Sequence, residues 1–267
     1  MTVLAAAMAL LGSLFFALGA AFQQHEASGA AGPGMLALLR RPRWLIGTGA
    51  VALGGGLHIV ALSAGPLIVV QPMGVASLLF ALPIAAALHG RRPAGSELVA
   101  AAVVGVGLIG LVVLIPPTAP APHMDDASAL GLLAAAVLTA LTCFGLAKSI
   151  GGAGRPALLA VAAGVLYGSC ATVTRVIVDG GGGHLWLLAV LPIPVLAALS
   201  LLQRAYAGRH FAVAYATLQL TDPLTAVACG ALLLGEPLPT NVTAAVVAAL
   251  VAGAGTVALA RTTPLTG

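Results

Sequence analysis

Charge is nearly absent from this chain: 7% of its 267 residues are Asp, Glu, Lys or Arg, and 60% are hydrophobic. A soluble domain carries about a quarter charged residues, so this sequence cannot cover a water-facing surface. Lysine occurs once, as Lys148. The three cysteines, Cys143, Cys170 and Cys229, fall in separate apolar stretches, with no Cys-x-x-Cys and no Cys/His cluster. That argues against a disulfide framework and a zinc site, and leaves the thiols as small buried apolar groups. There is no His-Glu-x-x-His, no Gly-x-Ser-x-Gly and no paired carboxylate within the apolar stretches, so the common hydrolase constellations are missing. Glycine is plentiful, but no strand precedes these glycines and no Lys-Ser/Thr follows, so they do not form a phosphate cradle. No cofactor, metal or enzyme activity is expected. The few basic residues are scattered in pairs over separate gaps, which makes a nucleic-acid surface a poor reading.

What the chain does have is nine apolar stretches, at 3–22, 44–63, 66–89, 98–115, 129–147, 157–178, 185–203, 212–234 and 242–260. Each is near the ~20 residues that cross hydrocarbon as a helix. They are continuous rather than alternating, which argues against strands. Every second gap carries base: Arg40, Arg41 and Arg43, then Arg91 and Arg92, then Lys148 and Arg155, then Arg204 and Arg209, then Arg261. The remaining gaps hold Asp125, Asp126, Asp179 and Glu236 and no base. Translocated loops are poor in Lys and Arg, so the alternation predicts an N-terminus outside and a C-terminus in the cytoplasm. The sequence therefore predicts an all-α, polytopic protein of the plasma membrane with nine transmembrane helices. Its Arg-, Ala- and Gly-rich composition suggests a bacterium with a GC-rich genome. The first stretch lacks a positive n-region and reads as a span rather than a cleaved signal. Trp44 opens the second span at the inner face and Trp186 opens the seventh at the outer face, where indoles favour the interface.

The longest gap, 23–43, contains Ser28-Gly29-Ala30-Ala31-Gly32-Pro33-Gly34 and reads as a flexible cytoplasmic segment, with an apolar patch from Met35 to Leu39. His25 and Glu26 are expected at its interfacial start. The chain also repeats itself. Ala9-Leu10-Leu11-Gly12-Ser13 resembles Val165-Leu166-Tyr167-Gly168-Ser169, Ala64-Gly65 matches Ala207-Gly208, and Gly90 matches Gly235. Spans one to four (1–115) thus map onto six to nine (157–260), with 129–147 as a connector. Corresponding spans are five apart, an odd number, so the halves have opposite orientation, as in many secondary transporters.

Two features of the second half carry a family resemblance. Thr221-Asp222-Pro223-Leu224 is followed by Gly235-Glu236, and then by a span rich in small residues. This resembles the EamA repeat of the drug/metabolite transporter superfamily. In the first half, Gly65-Pro66-Leu67-Ile68-Val69-Val70-Gln71-Pro72-Met73-Gly74-Val75-Ala76-Ser77 is similar to the magnesium transporters of the NIPA type, a nine-span branch of that superfamily. The departures are Gly90-Arg91 in place of Gly-Glu, Leu78 in place of the proline, and nine spans where usual members have ten. The resemblance implies a transporter fold and a transport function, and it carries no substrate.

Asp222 and Arg175 are the charged residues read inside spans. A carboxylate at mid-bilayer should face a cavity or a partner. Tyr215, Gln219 and Asp222 are spaced i, i+4, i+7 and so share one helical face. Pro223 has no amide hydrogen and frees the Gln219 carbonyl. The other reading of Asp222-Pro223 is the start of a second half-helix, with Asp222 as its cap. Gln71 could line the same cavity from the other half. His58, near the outer end of span two, is either a proton relay or a packing residue, and Arg175 either snorkels or pairs with Asp222. Tyr167 and Thr172 are weaker candidates. The resulting expectation is a permease for a small organic solute, working by alternating access and coupled to protons through Asp222. A Mg²⁺ or divalent cation transporter is the first alternative, an intramembrane enzyme a weaker one and a non-transporting scaffold a remote one. The expected partners are the solute and the lipid bilayer, and a homodimer stays open.

Overall fold

A computed structural model describes residues 2–28, 35–64, 67–114, 124–179, 185–207, 210–235, 239 and 241–262, of which 2–3, 62–64, 67–75, 112 and 178–179 are described by backbone alone. The described elements are helical: α1 (Thr2–Ser28), α2 (Met35–Leu38), α3 (Pro42–Ala64), α4 (Leu67–Leu88), α5 (Gly95–Val113), α6 (Asp126–Leu146), α7 (Gly154–Asp179), a 3₁₀ turn (Leu185–Ala189), α8 (Pro192–Tyr206), α9 (Phe211–Leu233) and α10 (Val242–Thr262). Helices satisfy their own backbone hydrogen bonds, as hydrocarbon requires. Among the described residues, seven segments are long and apolar enough to cross a membrane: Leu4–Ser28, Pro42–Ala61, Asp126–Leu146, Gly154–Ile177, Leu185–Tyr206, Phe211–Leu233 and Val242–Thr262. Two shorter apolar helical stretches, Ala76–Leu88 and Gly95–Leu111, lie in α4 and α5. The chain is an all-α polytopic membrane protein.

Three expectations need correction. α1 does not stop at residue 22 but runs to Ser28, and Gln23 and Gln24 on this extension are buried. The seventh stretch is interrupted: a 3₁₀ turn precedes α8, whose first residue is Pro192. Leu191, just before it, stays in the α region at φ −54° and ψ −34°, and proline is at home in the first turn of a helix. The eighth stretch, in contrast, is one helix from Phe211 to Leu233 that passes through Pro223. Asp222 therefore sits in a helix interior and caps nothing.

Gly90 and Gly235 end their helices in the same way. Each lies two residues past the end of its helix, α4 or α9, with φ of 68° and 64° respectively. That left-handed conformation is natural for glycine and lets the chain turn off a helix end. Gly65 and Gly208, the other matched pair of the repeat, lie outside the described residues.

Side-chain volume is small along the contacts that hold the bundle. α1 packs on α3 and α4, α7 on α6, α8 and α9, and α5 on α10. A methyl group added at Gly12 would come within 3.0 Å of the Gly54 carbonyl, and one at Gly54 within 2.8 Å of the Gly12 carbonyl. Gly19 and Gly47 face each other similarly one heptad away, at 2.5 and 3.0 Å. On the α5–α10 seam, a methyl at Gly107 would meet the Ala252 nitrogen at 2.5 Å, and one at Gly255 the Val104 nitrogen at 2.7 Å. Close backbone approach through small residues is how helices gain packing energy in lipid, where no hydrophobic force draws them together.

Candidate functional site: a cavity beside Asp222

α9 changes character along its length. Residues 211–218 are all buried, whereas 219–227 are all partly exposed. The partly exposed part borders a cavity of about 740 Å³, within the range of small-molecule sites. Asp222, Gln219 and Tyr215 all line it, as their shared helical face requires. His58 enters from α3, Tyr167 and Arg175 from α7, and Tyr206 from α8. Gln23 and Phe16 of α1 complete the polar and aromatic lining, and the rest is mainly Leu and Val. Among the described residues, Asp222 is the one carboxylate lining the cavity.

Local sequence explains how Asp222 is held there. Gly164 and Gly168, one turn apart on α7, lie against α9. A methyl at Gly164 would come within 3.1 Å of the Asp222 nitrogen, and one at Gly168 within 2.6 Å of its carbonyl. The two helices thus touch backbone to backbone beside the carboxylate. Tyr167 and Cys170 of α7 sit close enough to feel its charge. The Gln219 amide donates to Ser77 Oγ of α4 at 2.9 Å, and Tyr215 also hydrogen-bonds the Ser77 side chain. Ser77 therefore joins α4 to the polar face of α9.

At one end the cavity has an aromatic and amide floor. Phe211 and Tyr215 stack at 5.6 Å, and Tyr206 meets Phe211 edge-on at 5.1 Å. Trp44 Nε1 donates to Gln203 Oε1 at 3.0 Å, and Gln203 Nε2 donates to Gln23 Oε1 at 3.0 Å. Gln23 Nε2 donates to Thr48 Oγ1 at 3.2 Å, and that hydroxyl donates to the Trp44 carbonyl at 3.0 Å. Trp44 is consequently 1% exposed. It stands in the first turn of α3, at the start of the second span, with its side chain turned into the core onto a buried partner. The same end carries the basic loops. Arg41 pairs with Glu26 at 3.1 Å, and Arg91 pairs bidentately with Glu97, which also accepts the Ala94 amide at 2.9 Å.

The sequence-predicted site residues divide in three. Asp222, Gln219, Tyr215, His58 and Arg175 share the cavity. Gln71 lies within α4, and its side chain is outside the described residues. Thr172 donates to the Gly168 carbonyl and interacts with Cys229 instead of lining the cavity. His58 Nδ1 is buried without a hydrogen-bond partner among the described residues, and Arg175 has a partner of its own. The two ion pairs formed between described residues do not involve Asp222. Sequence reasoning missed Ser77, Gln23, Gln203 and Tyr206. Among the described residues no group of three or more His, Cys, Asp or Glu could hold a metal ion. Chemically, the described lining offers one carboxylate, one guanidinium, one imidazole, three phenols and two amides to an otherwise apolar guest.

No protein-family model matches the chain. It is 28% identical over 243 residues, 86% of this chain and 83% of the other, to an uncharacterized protein of Corynebacterium glutamicum. No solved structure matches it.

Proposed function

We propose that this protein is a nine-span permease of the drug/metabolite transporter type. It sits in a bacterial plasma membrane and moves a small organic solute by alternating access. The observation that carries this reading is the 740 Å³ cavity in the membrane-spanning part of the bundle, with Asp222 on its wall. A scaffold has no need of such a cavity. A carboxylate inside the membrane is costly unless it serves a pathway or a proton relay. Asp222 binds the solute or carries the coupling proton, Gln219 and Tyr215 orient the solute, and His58 and Arg175 flank the route. The apolar lining does not favour Mg²⁺, which needs an octahedron of oxygen ligands and holds its water tightly.

The inverted repeat is part of the reading. α1 with α3 and α4 mirrors α7 with α8 and α9 in which helices pack together. The shared glycine ends of α4 and α9 support the same pairing. If Gly90 and Gly235 are equivalent, so are Gly107 and Ala252, and these two touch, as residues on a two-fold axis must. Gly12 and Gly168 are less alike, since the first faces α3 and the second α9. The Arg-bearing end is cytoplasmic.

The test is Asp222→Asn. Asparagine keeps the size but cannot carry charge or cycle a proton. Transport into vesicles should fall at least a hundredfold, with expression and thermal stability unchanged. Transport at the parent rate would remove Asp222 from the mechanism.

A further inference from the structure

We propose that Gln23, Trp44, Thr48 and Gln203 form the gate that closes the cavity at its Arg-bearing end, and that these bonds must break before the cavity can open there. This rests on the transporter reading. α3 and α8 supply separate walls of the cavity, with Val51 and His58 on one and Leu199 and Leu202 on the other. At the Arg-bearing end the two walls are tied together. The Trp44 indole of α3 donates to the Gln203 side chain of α8, which in turn donates to Gln23 of α1. Gln23 and Gln203 are each 4% exposed. Their four amide atoms are satisfied by one another, by Trp44 and by Thr48. Moving away from this tie, His58, Arg175 and Pro239 line the cavity, and α9 becomes partly exposed beyond residue 218. The lining is therefore buried beside the tie and partly exposed away from it.

The chemistry of the tie suits a contact that opens and closes. α1 and α3 are fixed to each other by backbone contacts at Gly12–Gly54 and Gly19–Gly47, which water cannot replace. The link from that pair to α8 is made by amide and indole groups. Water can take over each of those bonds once the end opens, so the cost of parting is small while the dry, closed network holds firmly. α1 and α3 would then move together and α8 would part from them. Gln23 also lines the cavity, so a solute that reaches the floor competes with Gln203 for the Gln23 amide. In this way the tie senses occupancy.

The experiment needs no known solute. In a chain with Cys143, Cys170 and Cys229 replaced by alanine, Val227→Cys reports the cavity. Ser149→Cys, in a separate chain, reports which vesicle orientation presents the Arg-bearing face. Both are labelled with an impermeant maleimide in right-side-out and inside-out vesicles. The thiol at 227 should label from the face opposite the arginines. Gln203→Leu keeps the size and removes both bonds. It should raise labelling from the Arg-bearing face about tenfold and lower it from the other, because a minor state populated at ~0.1–10% has room to grow. Trp44→Phe keeps most of the packing and removes only the donor, so it should act in the same direction and serves if Gln203→Leu does not fold. Unchanged labelling at both faces in a stably folded variant would overturn the gate and leave the transporter reading standing. Equal labelling from both faces in the parent would mean an open pore, and would overturn alternating access together with its gate.

Discussion

Trp44 is 1% exposed and donates its indole N–H to a buried glutamine, whereas Trp186 is 45% exposed and donates to Asp126 at 3.0 Å. The two ends of the bundle differ in the same way. The end with Trp44 carries two ion pairs, a buried glutamine pair, and Phe144 with Lys148 and Arg204 over its ring at 4.9 and 5.2 Å. Around Trp186, Leu185 and Leu188 are exposed and the indole meets its partner at the surface. One residue type therefore serves as a buried core post at one end and as an exposed tie between α6 and the 3₁₀ turn at the other. The neighbours decide which role applies. A glutamine on a facing helix draws the indole inward, and an acid at a helix start holds it at the edge.

The sharpest way to break this contrast is Trp44→Ala. Removing a buried indole costs about 3–5 kcal/mol, so the closed end should collapse and thermal unfolding in lipid discs should shift strongly downward. A loss as small as at Trp186 would mean the ends are alike. Glu97→Ala comes next. Glu97 is 1% exposed, and breaking a buried pair is costly, but the Arg91 side chain is 33% exposed and can turn to water. The expected loss is about 2 kcal/mol, measured in the same assay. Trp186→Phe, at the open end, gives up one exposed hydrogen bond and should cost about 0.5 kcal/mol or less.

The smallest effect should be a pH dependence at His210. This residue precedes α9 at the closed end, is buried, and has no partner for Nδ1 among the described residues. Burial lowers its pKa below the usual 6.5. The unfolded chain then binds a proton more readily than the folded one, so the stability His210 contributes is present above about pH 6.5 and lost as pH falls through the folded value. His210→Phe should flatten that slope. An unchanged slope would assign it to other groups.

Local pattern made the helices and the Asp222 face legible. Apolar run length located α3 to α7, α9 and α10, and the i, i+4, i+7 spacing put Tyr215, Gln219 and Asp222 on one surface. What the sequence hid depends on partners far along the chain. Gln203 lies 159 residues from Trp44 and 180 from Gln23, and Gln219 lies 142 from Ser77. No periodicity marks a glutamine that will meet another one. Glu97 was overlooked for a related reason. It sits where a gap becomes a span, and only its bond to Arg91 shows that it is buried. The reading of Asp222-Pro223 as a helix start failed because proline at that position interrupts one hydrogen bond and the surrounding packing keeps α9 continuous.

The seam between α5 and α10 has a bearing on how the gene can vary. At Gly107 and Gly255 the obstacle to a side chain is the opposing backbone, less than 3 Å from a first carbon. Every missense codon at these positions adds that carbon, whatever else it adds. A saturation scan should therefore show rows there that are uniformly intolerant, with alanine, serine and aspartate failing alike. At Gly253, two residues from Gly255 and facing open space, the row should be ranked by polarity, as lipid would rank it. Fitness at the seam would depend on volume alone and be blind to chemistry.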